Sequence, residues 1–137
     1  MHLYPLWLLI IPWIGALLVA ILGKGRYPLT RWLSLVPLLL SATLLAILAQ
    51  SSIGLPALVS VPWISKANAQ LALGIDALSM PFLINVLGVS IVSVWYGWGY
   101  LRDAARPHIC FALMLAFSGS MIGTLLAHDL YLFFIFW

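Results

Sequence analysis

The chain predicts an all-α, polytopic transmembrane protein with four full spans and the start of a fifth. Hydrophobic residues make up 65% of it and charged residues 7%, where water-soluble domains carry about 25% charged residues. Mean hydropathy is +1.16. Four stretches free of Asp, Glu, Lys and Arg reach the length of about 18 residues that a bilayer helix requires. Together these place residues 1–137 in lipid as a single membrane unit.

The first span is read at 3–22, with Pro5 and Pro12 near its start, where helices tolerate proline best. No basic segment precedes it, so it reads as a span rather than a cleaved leader. The second is read at 32–49 and contains Pro37, the third at 77–100, and the fourth at 108–127. Between the second and third lies a long loop, 50–75, punctuated by Gly54, Pro56, Pro62 and several serines. Within it, residues 55–59 read as a short strand. The apolar run 130–137 starts a fifth span of about 12 Å, against the about 30 Å of a bilayer core. The expectation is therefore that the chain is the front piece of a longer protein.

Charge placement gives an orientation. Lys24, Arg26 and Arg31 fall between the first and second spans, Arg102 and Arg106 between the third and fourth, and Lys66 alone in the other loop set. By the positive-inside rule, loops 23–31 and 101–107 are cytoplasmic and the N-terminus is outside. Trp63, Trp95, Trp98 and Tyr100 fall near the expected interfaces, as aromatic belts do. Basic patches interleaved with aromatics are absent, which excludes nucleic acid as a partner. A single cysteine, Cys110, excludes a disulfide framework and a multi-cysteine metal or iron–sulfur site. No spacing suited to nucleophilic catalysis or metal ligation occurs, so no catalytic, cofactor-binding or metal residue is assigned.

Polar residues inside lipid are the usual pointers to function. The spans hold serines and threonines, whose hydroxyls bond their own helix or a neighbour, and Asn85, whose amide needs several partners. Asn85 reads as interhelical glue, with a proton relay as the alternative. Gly119 and Gly123, at i and i+4, read as a helix-packing face. The three aspartates sit at span ends. Asp76, His128 and Asp129 are candidates for helix capping or for a proton station, because a histidine beside a carboxylate titrates near neutral pH.

The order Pro62-Trp63-Ile64, then Leu73-Gly74-Ile75-Asp76-Ala77-Leu78-Ser79, then His128-Asp129-Leu130 with Phe133-Phe134-Ile135-Phe136-Trp137, resembles the N-terminal part of the antiporter-like membrane subunits of respiratory complex I. The same superfamily includes the large subunits of Mrp-type cation/proton antiporters and of membrane-bound hydrogenases. Residues 60–137 carry the likeness, with Ala77 where the family usually has glycine; residues 1–59 match only as two spans. The resemblance implies proton or cation translocation along an axis of charged residues, in which a fifth-helix glutamate pairs with a lysine. None of those groups falls within this sequence, so none is carried over, and Asp76 and Asp129 correspond to helix-end positions. The expected role is that of a translocating subunit's N-terminal portion, supplying peripheral helices in a complex I-type or, alternatively, an Mrp-type assembly of an energy-transducing membrane. A non-translocating structural subunit is the other alternative. The partners implied are lipid and other integral membrane subunits, including the remainder of the antiporter-like subunit. On this reading the chain is at most part of a redox-driven ion translocase and carries no redox or hydrolytic centre.

Overall fold

A computed structural model describes residues 3–50, 57–64 and 69–137. Its elements are α1 (Tyr4–Leu22), α2 (Tyr27–Gln50), β1 (Ala57–Ile64), β2 (Ala69–Ile75), α3 (Ser79–Tyr100), α4 (Pro107–Leu126) and α5 (Leu130–Phe136). The four long helices have 19, 24, 22 and 20 residues. At 1.5 Å per residue they run about 28 to 36 Å, enough to cross the hydrocarbon core. All four are long and apolar enough to be membrane spans.

Two boundaries differ from the sequence reading. The second helix begins at Tyr27 rather than near residue 32, so Arg31 lies in its second turn. A tight turn explains the early start. Gly25 takes a φ of 72°, a left-handed conformation that disfavours other residues. The Arg26 amide donates to the Gly23 carbonyl at 3.1 Å, and Pro28 supplies a helix-ready φ in the first turn. Thr30 then donates its hydroxyl to the carbonyls of Gly23 and Arg26, closing the turn from inside. Arg31 is accommodated by laying its guanidinium 4.4 Å above the Trp98 ring. This cation–π contact keeps the charge near the helix end.

The second difference is the outer segment. It holds a two-stranded antiparallel ribbon, β1 with β2, instead of one short strand. β1 overlaps the expected strand at 57–59, while residues 55 and 56, like Lys66 and the serines at 51, 52 and 65, lie outside the described residues. The register runs from Ala57 opposite Ile75 to Ile64 opposite Ala69, with an irregularity between Pro62 and Ile64. A proline cannot donate to the ladder, and bulged or edge positions are where strands tolerate it.

The core is a helical bundle. α1 packs against α2 and α4, and α3 against α2 and α4. Leu8, Val19, Leu38, Leu83, Phe111, Leu115 and Ile122 are fully buried in one cluster. The α1–α2 crossing is a notch: Pro37 seats against Gly15, where a β-carbon would stand 2.7 Å from Pro37 Cβ. Pro37 also removes one backbone donor from α2. Much of the outside of the bundle is apolar, including Leu17, Ile21, Val92 and Phe117, as a lipid- or protein-covered surface requires.

Candidate functional site

The described charged residues lie at the two ends of the bundle, and Asn85, Ser90, Ser93 and Ser118 line one groove between α3 and α4. Lys24, Arg26 and Arg106 line a cleft at one end. At the opposite end, Asp76, His128 and Asp129 line a second open cleft of about 540 Å³, together with Ser79, Thr124 and Phe133. Three sequence candidates from two distant segments are thus brought together, and each is positioned by the helix end it occupies.

Asp76 precedes α3 and exchanges hydrogen bonds with Ser79. The Ser79 amide donates to Asp76 Oδ1 at 2.6 Å, and the Asp76 amide donates to Ser79 Oγ at 3.0 Å. This reciprocal pairing satisfies amides that a helix start leaves without partners. The Ser79 amide and then its hydroxyl hold the Asp76 carboxyl below its ordinary value, and the His128 imidazole adds a smaller pull in the same direction. Asp129 is the residue before α5 and accepts from the Tyr131 amide at 2.8 Å. His128 stands between them. Its amide donates to the Ala72 carbonyl of β2 at 2.8 Å, and Ala127 bridges Leu73. Its ring lies on Gly74, where a β-carbon would come within 2.6 Å of His128 Cε1. Sequence reasoning missed this use of Gly74; the signal available was a glycine inside a strand, which marks a close approach.

The packing candidates go elsewhere. Gly119 receives the Trp13 indole of α1, with Nε1 at 2.8 Å from a notional β-carbon, and Gly123 receives the Phe136 ring of α5. Asn85 is exposed on α3 and lines a groove between α3 and α4 with Ser90, Ser93, Met114 and Ser118. Within that groove, Ser118 donates to the Met114 carbonyl at 2.9 Å, and its Oγ is hydrogen-bonded to the Ser90 hydroxyl at 2.8 Å. Ser120 and Thr124 likewise bond the carbonyls of Ala116 and Ser120. Among the described residues, no group of three His, Cys, Asp or Glu side chains is arranged to hold a metal ion.

A bundle of four apolar spans, with charge confined to its ends among the described residues and small-residue contacts between helices, defines an all-α integral membrane protein. Over nearly its whole length the chain is similar to subunits of quinone oxidoreductases and of Na(+)/H(+) antiporters. It is 27% identical to NAD(P)H-quinone oxidoreductase chain 4 2 of Thermosynechococcus vestitus, over 95% of this chain and 25% of the relative. It is 28% identical to a Na(+)/H(+) antiporter subunit of Alkalihalophilus pseudofirmus, over 96% of this chain and 17% of the relative. In the structure of the Mrp complex from Dietzia sp. DQ12-45-1b, one chain aligns with a TM-score of 0.78 and 25% identity, over 97% of this chain and 14% of that one. The chain thus spans a quarter or less of these proteins. No protein-family model matches it.

Proposed function

We propose that these 137 residues supply peripheral helices to an ion-translocating, antiporter-like membrane protein, and that the charged axis lies on polypeptide outside them. One observation carries this reading: α1, α3, α4 and α5 contain no Asp, Glu, Lys or Arg, and α2 contains only Arg31, which sits near its end. Proton or sodium passage in low dielectric needs ionisable stations whose pairing can switch. The likeness to subunits of quinone oxidoreductase and Na(+)/H(+) antiporter assemblies supports the same view. The positive-inside bias of Lys24, Arg26, Arg102 and Arg106 supports a cytoplasmic position for their shared end, with the N-terminus, the ribbon and the Asp76–His128–Asp129 cleft outside. The Mrp-type branch is the second reading, favoured by the structural match to the Mrp complex.

The test has two arms. Liposomes holding the 137-residue chain alone, loaded with a pH-sensitive dye, should show no proton or sodium-coupled flux. The tagged chain, taken gently from its native membrane, should migrate with other integral membrane subunits. Flux from the chain alone, or migration as a monomer, overturns the proposal.

A further inference from the structure

At the end of the bundle opposite the aspartates, the α1–α2 turn and the start of α4 enclose a cleft of about 610 Å³. Lys24 and Arg26 reach it from one loop and Arg106 from another, with His108 half-buried beside them. Among the described residues, nothing neutralises these cations. The sequence has three acidic residues; Asp76 and Asp129 are at the other end, and Asp103 does not line the cleft. None of the three basic side chains has an ion pair with a described residue. Gly25, with open space over its α-carbon, leaves backbone accessible between Lys24 and Arg26. The first turns of α2 and α4 also contain no acidic residue.

From this convergence we propose a binding site for the phosphate of an anionic phospholipid headgroup. Position selects a lipid over a free anion. The cleft lies where four membrane spans end, which is headgroup depth, and the exposed Ile109 on its wall offers acyl chains a path down α4. Basic pockets between helix ends are suited to such headgroups. This reading concerns lipid binding and stands whether or not the assembly moves ions.

The experiment uses the 137-residue chain in nanodiscs of mixed dioleoylphosphatidylcholine and dioleoylphosphatidylglycerol, released into the gas phase for native mass spectrometry. One phosphatidylglycerol should stay bound in preference to phosphatidylcholine. Arg26→Gln and Arg106→Gln should each reduce its retention about fivefold, the effect of one cation near a headgroup. Arg102→Gln, the same charge change a few residues from Arg106 but off the cleft, should leave retention unchanged, and Arg106→Lys should restore it. Equal loss with Arg102→Gln would make the attraction a general surface charge and overturn the site. Displacement of the lipid by millimolar inorganic phosphate would assign the cleft to a free anion and overturn it as a lipid site.

Discussion

Substituting Gly15 with alanine tests whether the α1–α2 notch sets the geometry of the bundle. The added methyl would stand 2.7 Å from Pro37 Cβ and closer still to its Cγ. Ordinary carbon contact is about 3.5–4.0 Å, so the helices must part by about 1 Å at their crossing. Pro37 is buried and its ring cannot rotate away. Overpacking of this kind costs about 1–3 kcal/mol, offset by up to about 1 kcal/mol of improved helix propensity. A net loss of about 1–2 kcal/mol lowers the folded-to-unfolded ratio about 5- to 30-fold. Gly88→Ala is the matched control, because nothing lies within 4 Å of a β-carbon there; it should be neutral or mildly stabilising. Pro37→Ala placed on top of Gly15→Ala should recover at least half the loss by removing the clashing ring. Far-UV circular dichroism of the chain in mixed micelles, titrated with sodium dodecyl sulfate, reads all four proteins. The reasoning fails if Gly15→Ala unfolds with wild-type behaviour, or if the double variant is no better than the single one.

Other contacts give three further outcomes. Tyr27 donates its hydroxyl to the Trp98 carbonyl across the bundle, so Tyr27→Phe should cost about 0.6 kcal/mol, the usual size for hydrogen bonds between membrane helices, seen as an earlier detergent midpoint. Asp129→Ala removes the acceptor for the Tyr131 amide and should cost about 1 kcal/mol locally, read as faster hydrogen exchange at the start of α5. The Asp76 carboxyl is held below its ordinary value of 3.8, chiefly by the Ser79 amide. A depressed folded value means the charged form stabilises the fold at neutral pH, and that contribution disappears as pH falls below 3.8 through the folded value. Asp76→Asn should therefore lower stability at pH 7 and flatten the acid limb of a pH-stability curve.

The four spans are legible in the sequence because a bilayer imposes one requirement, uninterrupted apolar length, that composition reports directly. α3 and α4 lie within two residues of their expected ends. The start of α2 is hidden because Arg31 reads as a loop charge. Only the fold supplies the Trp98 face that lets it lie on a helix. The second strand is hidden for a related reason. Leu71, Leu73 and Ile75 alternate at every second position, which is strand periodicity, but so short a run between turn signals is ambiguous without a pairing partner. Those partners are β1 on one side and the Ala127–His128 backbone on the other. At the candidate site, the chemistry of Asp76, His128 and Asp129 is readable from residue type and position. Their meeting in one cleft is not, since it depends on α3 and α4 running the length of the bundle between them.

The double-sided holding of β2 has a consequence for biogenesis. One edge of that strand is met by sequence a few residues upstream, the other by residues 127 and 128, which are made only after two further helices. The edge of β2 that faces Ala127–His128 therefore gains its partner only once α3 and α4 have been made. Because the His128 amide donates to the Ala72 carbonyl, slow hydrogen exchange at that amide would report that the seam between the ribbon and the end of α4 has closed.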